Sequence, residues 1–275
     1  MDVIAQGALV KMPAEIGPQI RYQLKLDDQL VELNDYIGKP IKLTYQGQIN
    51  CTHCGRKTNK SFAQGYCYPC FKKLPQCDLC IMSPEKCHYD QGTCRDPSWG
   101  EQFCFQSHYV YLANSSGVKV GITRGTQIPT RWIDQGAIQA LPILRVETRF
   151  QSGLVERIFG EHVTDKTNWR AMLKGQVERL DLYAERDRLM QLCQPGLTEL
   201  EDRFGLQAIQ RLADAEMVEL NFPVINFPDK ITSLNFDKNP VVEGVLQGIK
   251  GQYLLMDSGV INLRKFTAYQ IEFCA

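Results

Sequence analysis

The sequence has no excess of either charge: 31 Lys and Arg balance 31 Asp and Glu over 275 residues. A total of zero argues at first against a polyanionic partner. There is no low-complexity run and no block of like charges, so nothing reads as disordered. No apolar run approaches the roughly 20 residues that span a bilayer. Met1 to Met12 lack a basic region followed by an apolar stretch, which argues against a secretory signal. The expectation is a cytoplasmic chain with no membrane partner. Outside Cys51–Cys104 cysteine is nearly absent, and only Cys193 and Cys274 stand apart. Both read as small buried hydrophobes.

The cysteines inside that stretch carry the clearest chemistry. In a reducing compartment, closely spaced Cys-x-x-Cys pairs are metal ligands rather than disulfides. Cys51-x-x-Cys54 and Cys67-x-x-Cys70 are separated by twelve residues, a spacing that matches four-thiolate tetrahedral zinc. Each two-residue gap turns both sulfurs toward one ion. With thiolates in all four positions no place is left for a reactive water, so this zinc is structural. A second set follows in Cys77, Cys80, Cys87 and Cys94, with Cys104 or His88 as substitutes and a cross-braced arrangement open. Two structural zinc ions are therefore expected. No thioredoxin-like βαβ context surrounds these pairs, which disfavours a redox role.

Charge that balances in total is segregated along the chain. From Cys51 to Cys77 there is no acid, while Arg56, Lys57, Lys60, Lys72 and Lys73 are present. From Gly117 to Ile133 only Lys119, Arg124 and Arg131 are charged. The acids gather in residues 175–220. Phe62, Tyr66, Tyr68 and Phe71 interleave with the first group of cations. This pattern suits a nucleic acid, DNA or RNA, through phosphate contact and base stacking. The plainer alternative is a solvated surface over a small aromatic core.

Hydrophobic periodicity divides the chain into five segments. Residues 1–50 read as a β-module, with alternation in Ile20–Leu26 and Ile41–Tyr45. Residues 51–106 are the cysteine module. Residues 107–170 mix strands and helices: strands at Tyr109–Ala113 and Val118–Thr123 around an Asn-Ser-Ser-Gly turn, a helix over 129–135, a strand over 143–150, and a helix from an N-cap at Ser152 to His162. Residues 171–220 are helical, with an amphipathic helix over 175–193 closed by Gln194-Pro195-Gly196 and a short helix over 205–214. Residues 221–275 hold a linker, Asn221–Pro228, and a second β-module. The two ends are similar: Tyr22-x-Leu24, Asp27 and Leu33 resemble Tyr253-x-Leu255, Asp257 and Leu263, each set preceded by Gly-x-Leu at Gly7 and Gly244. They form two related modules or two halves of one barrel. The expected class is α+β.

Tyr109-Val110-Tyr111-Leu112 and Val118-Lys119-Val120-Gly121-Ile122-Thr123, followed by Arg131 and by Glu156, resemble the GIY-YIG nuclease superfamily over residues 108–168. Asn168 stands where many members carry an Asn. The leading Gly of the first motif is missing, and Lys119 replaces the second tyrosine. The whole sequence also resembles a bacterial family with cysteine-rich and Trp-Ile-Asp-Gln-Gly-Ala segments, a likeness that supplies no activity. The superfamily resemblance implies a three-stranded antiparallel sheet flanked by helices and an endonuclease using one divalent cation, Mg²⁺ or Mn²⁺. In that reading Arg131 meets the phosphate oxygens, Glu156 holds the metal, and Tyr109 or Tyr111 orients or deprotonates water. Lys119 lowers that tyrosine's pKa or contacts phosphate. The residues also allow a bland account, in which Arg131 pairs with Asp134 and Glu156 is solvated. His162, Asp165 and Asn168-Trp169-Arg170 either line the same cleft or cap and pack. The rival functions are a non-catalytic nucleic-acid adaptor and a zinc-based protein-interaction scaffold.

Overall fold

The computed structural model describes residues 1–163 and 168–275, so Asp165 lies outside the described residues. The first segment forms β1 (Val3–Val10), β2 (Ala14–Glu15), β3 (Arg21–Leu26), β4 (Gln29–Glu32) and β5 (Pro40–Asn50). Period-two alternation drives it: in β3, Tyr22, Leu24 and Leu26 are buried while Arg21 faces solvent. The cysteine stretch is built of short pieces: β6 (Lys57–Thr58), α1 (Tyr68–Lys73), α2 (Leu79–Met82) and α3 (Pro97–Phe103). Asp78 and Asp96 accept from the Leu79 and Trp99 amides to start the last two.

The central segment follows with β7 (His108–Asn114), β8 (Val118–Arg124), α4 (Thr130–Asp134), β9 (Gln139–Val146), α5 (Arg149–Gly160), α6 (Trp169–Leu173), α7 (Leu182–Phe204), β10 (Ile209–Arg211) and β11 (Val218–Glu219). The chain ends in β12 (Val241–Lys250), β13 (Tyr253–Met256), β14 (Gly259–Asn262) and β15 (Tyr269–Cys274). The fold is α+β with antiparallel sheets. In the central sheet β7 lies between β8 and β9, and β10 and β11 pair with β9. Val110, Leu112 and Val120 pack with α5 and α7 on one face. Tyr111 and Ala113 turn to the other and join the core of the large sheet through Trp132 and Ile133. Among the described residues no helix is long and apolar enough to cross a membrane.

Three expectations are corrected. α5 begins at Arg149, not after Ser152, because Thr148 and Gln151 form a capping box; Ser152 is buried and its hydroxyl donates to the Arg149 carbonyl at 2.7 Å. α7 starts later and does not stop at Gln194-Pro195-Gly196. Its N-cap Asp181 accepts from the Tyr183 and Ala184 amides, and it runs on through Pro195. An interior proline costs about 3 kcal/mol, which burial of Leu189, Cys193, Leu197 and Leu200 offsets. The expected helix near 205–214 is the strand β10, whose Ile209 pairs with Val146 at the sheet edge.

The two ends of the chain share one ten-stranded sheet, in the order β14-β13-β12-β5-β15-β1-β3, with β2 and β4 both pairing with β3 and β6 pairing with β5. This order is a pseudo-two-fold. The last strand of each half leaves its own hairpin and pairs with the first strand of the other: β5 with β12, and β15 with β1. Asp27 accepts from the Ala8 amide at 3.0 Å, and Asp257 accepts from the Val245 amide at 2.9 Å. Gly38 and Ala268 both take left-handed φ, 83° and 79°, and their amides donate to Leu246 and Leu9 carbonyls. The hairpin registers pair Leu24 with Val31 and Leu254 with Ile261. Leu24 therefore corresponds to Leu254, one residue away from the match suggested by Tyr-x-Leu.

Lys250 closes the junction between these strands and the linker. It is buried, with its ammonium 5.3 Å from the centre of the Phe222 ring and 5.7 Å from that of Phe227. Burial lowers its pKa to about 8, and the two rings offset part of the cost of the charge. A depressed lysine destabilises the fold below its folded pKa, and the penalty fades as pH rises toward the unfolded value near about 10.4. Lys250→Met is expected to raise stability at pH 7 by about 1–3 kcal/mol. The variant should also lose the alkaline rise in stability that the depressed Lys250 pKa is expected to give the wild type above pH 8. Urea unfolding across that range checks both.

Candidate functional site

The sulfurs of Cys51, Cys54, Cys67 and Cys70 lie within 4.8 Å of one another, and those of Cys54 and Cys67 are 3.8 Å apart. A tetrahedral ion with Zn–S near 2.3 Å places its sulfurs about 3.8 Å apart, so the four can hold a zinc ion. Burial raises the Cys51 thiol, but amides of Cys67, Cys54 and His53 and the Cys54 side chain outweigh it and bring the pKa to about 6. Cys70 is pushed up to about 12, by desolvation first and then by its three sulfur neighbours. Four thiolates this close need a dication to be charged together, which is the chemistry of structural zinc.

The second set is arranged differently from the expected quartet. Among the described residues, the other donors that come within 4.8 Å as a group are Asp78, Cys80 and His88. Cys80 feels the charges of Asp78, Cys87, Cys104 and Cys94. Cys77 instead feels Arg95 and Cys51. Asp78 is held by Arg95 at 3.0 Å and His88 at 3.5 Å.

The basic residues of the cysteine module are exposed: Arg56, Lys57, Lys60, Lys72 and Lys73. Phe62 stacks on Phe71 at 5.6 Å and meets Tyr68 at 5.5 Å. Lys60 lies over Phe62 and Lys72 over Tyr68. Phe62, Tyr66 and Phe71 are half-buried, whereas Tyr68 is 53% exposed. Arg124 stacks on Phe103 at 5.5 Å, tying β8 to the cysteine module.

In the central segment the β7–β8 register places Tyr111 opposite Gly121. A Cβ at Gly121 would lie 2.6 Å from the Tyr111 hydroxyl, so only glycine leaves room for it. Gly121→Ala is expected to displace that ring and cost about 1–3 kcal/mol, measurable by urea unfolding. The Tyr111 hydroxyl donates to Gln135 at 2.9 Å, and Trp132 packs against the ring at 5.9 Å. Burial pushes the hydroxyl up to about 12; Arg131 pulls it down by charge and hydrogen bond, and Glu156 pushes it up. The charges of Arg131 on α4 and Glu156 on α5 thus both reach the Tyr111 hydroxyl, although α5 packs on the opposite face of the sheet. Tyr109 is half-buried against Gly125, 3.0 Å from where its Cβ would sit. Lys119 is buried opposite Ala113.

Several participants escaped the sequence reading. Asp134 is held by Lys11 at 2.5 Å, Gln252 at 2.9 Å and Arg264 at 3.4 Å. Its partners come from both ends of the chain, and the pairing with Arg131 is not the one formed. Gln135, at the end of α4, fixes the Tyr111 hydroxyl. Glu85 and Glu156 line one cavity of about 250 Å³ with Gly153 and Val120. Gly153 lets the Pro84–Glu85 backbone dock there, since a Cβ would lie 2.6 Å from the Glu85 amide. Tyr111 and Arg131 do not line this cavity. His162 is exposed. Asn168 caps α6 by accepting from the Ala171 amide, and Trp169 stacks on Tyr253 at 6.0 Å. Asn168 and Trp169 thus cap and pack. No signal in spacing could have disclosed contacts made across 100 residues or more of chain.

Residues 38–271 match the family described as "Protein of unknown function (DUF2797)". No curated protein and no solved structure matches the chain significantly.

Proposed function

The chain belongs to that family, and we propose that it is a zinc-containing nucleic-acid-binding protein whose central domain hydrolyses phosphodiester bonds with a divalent cation. One observation carries the reading: the opposite charges of Arg131 and Glu156, on separate helices, are both felt at the hydroxyl of Tyr111, which lies over Gly121. A guanidinium can bind two oxygens of a phosphodiester in its own plane. Glu156, with Glu85 on the same cavity, offers hard oxygen donors that suit Mg²⁺ or Mn²⁺, which would supply charge stabilisation at the phosphate. Tyr111, protonated at neutral pH, is a hydrogen-bond donor that orients an oxygen rather than a base. Tyr109, Lys119 and Arg124 flank the phosphate path. Arg56, Lys57, Lys60, Lys72 and Lys73 hold the backbone, with Tyr68 as a stacking surface.

The same reading includes a second structural zinc. Cys80, Cys87, Cys94 and Cys104 are its ligands in this reading, because the charges of Cys87 and Cys94 reach both Cys80 and Cys104, while Cys77 feels Cys51 of the first set. Soft thiolates are preferred by zinc over the nearby Asp78 carboxylate.

A second functional reading, a non-catalytic adaptor that keeps the phosphate grip, is favoured by the burial of Tyr111 and by its hydroxyl being committed to Gln135. Labelled single- and double-stranded DNA and RNA, incubated with Mg²⁺ or Mn²⁺, separate the two. Divalent-dependent cleavage supports the hydrolase. Steeply salt-dependent binding without cleavage supports the adaptor. Neither binding nor cleavage overturns both.

A further inference from the structure

The pseudo-two-fold exposes an asymmetry at the sheet edges. β14 and β4 are equivalent edge strands, and Val260 corresponds to Leu30 through the hairpin registers, which pair Val260 with Leu255 and Leu30 with Lys25. In an antiparallel hairpin such a position, one removed from the closing pair, turns its N–H and C=O away from its partner strand. At Val260 those groups are used. Its amide donates to the Thr232 carbonyl and its carbonyl accepts from the Leu234 amide, both at 2.8 Å. The segment Lys230-Ile231-Thr232-Ser233-Leu234 thereby adds a parallel bridge to β14. Val260 is 1% exposed, packed with Met172 and Leu173 of α6, whereas Leu30 is 54% exposed. Among the described residues, no strand pairs with the outer edge of β4.

The uncovered edge also has a defined chemistry. A groove beside it has Ile4, Ala5, Leu30, Val31 and Tyr36 among its lining residues, with Glu32 and Asp35 and no cation. An apolar floor with two carboxylates complements an apolar strand that carries positive charge. We propose that the outer edge of β4 receives, by strand addition, an extended segment of a partner protein that carries apolar side chains and is flanked by Lys or Arg. The chain's own Lys230–Leu234 is the template for this occupant. Backbone bonds to Leu30 provide the attachment, and the two carboxylates select for cations. An exposed edge with an apolar residue is otherwise a site of indiscriminate pairing.

The probe is a synthetic Lys-Lys-Ile-Thr-Ser-Leu-Asn-Lys peptide, capped at both ends, titrated into the deuterated, ¹⁵N-labelled full chain. The expected result is saturable shifts confined to the amides of β4 and its groove. Binding should weaken at least about tenfold when the peptide's lysines are replaced by glutamates. It should weaken similarly in a Leu30→Lys chain whose other amide signals are unchanged, and in Glu32→Gln, which leaves the strand intact. Absence of saturable shifts at β4, or equal binding of the glutamate peptide, overturns the proposal. So does a concentration-dependent dimer that Leu30→Lys dissolves, because the edge would then belong to a second copy of this chain.

Discussion

Cys67→Ser is expected to lose one equivalent of zinc and to unfold the cysteine module while leaving the rest of the chain folded. Cys67 is buried within the four-sulfur cluster, its sulfur 3.8 Å from that of Cys54, at the residue that precedes α1. The segment around it has short helices and few buried apolar side chains, so a zinc ion held there would supply most of its stability. Structural zinc binding is worth about 10–16 kcal/mol in isolated zinc-finger peptides at pH 7, far more than the module's own core can replace. Elemental analysis gives the zinc count, and limited proteolysis should open cleavage sites between residues 55 and 75 alone. Cys193→Ser is the matched control. Cys193 is buried on α7, so its replacement should lower stability modestly and leave zinc content unchanged. Unchanged zinc content in Cys67→Ser would contradict the assignment.

The second large effect falls on turnover. With the hydrolase reading, Arg131→Ala and Glu156→Ala are each expected to lower single-turnover cleavage by roughly 10²–10³-fold, the usual consequence of losing one preorganised charge at a phosphate. Neither change should unfold the chain, because both side chains are only half-buried. The two should differ in binding. Arg131→Ala weakens affinity for nucleic acid and flattens its salt dependence, since a cation that neutralises phosphate is gone. Glu156→Ala leaves affinity intact or improves it, by removing a negative charge from the path. Gln135→Leu tests the support behind Tyr111: it leaves the buried hydroxyl without its acceptor, and a loss of turnover with unchanged affinity would place Gln135 among the positioning residues.

What spacing specifies locally, the sequence discloses. The first zinc set depends only on two short chelating loops, and Gly121 depends only on the residue opposite it in a hairpin. Strand alternation was clear in β3, where one face is wet. It failed in β13, where Leu254 and Leu255 are both fully buried. Leu255 and Val260 are covered by Met172 and Leu173 of α6, so apolar residues fill both faces and the Tyr-x-Leu match slipped by one. Pro195 looked like a helix end because the apolar contacts that carry α7 through it come from α5 and the sheet. The capping box of Thr148 and Gln151 is legible in the sequence, but Ser152, a residue type equally suited to an N-cap, follows it directly. Asp134 shows the limit most clearly: its partners Lys11, Gln252 and Arg264 are adjacent only because the two ends of the chain exchange strands.

The most direct test of the central claim is single-turnover cleavage of the preferred nucleic-acid substrate by wild type and Glu156→Gln, at matched zinc content and saturating protein, with and without Mg²⁺ or Mn²⁺. The account predicts cleavage by the wild type that requires the added divalent cation, and loss of that cleavage in Glu156→Gln with binding retained. Equal cleavage by both proteins, or cleavage indifferent to the cation, would contradict it.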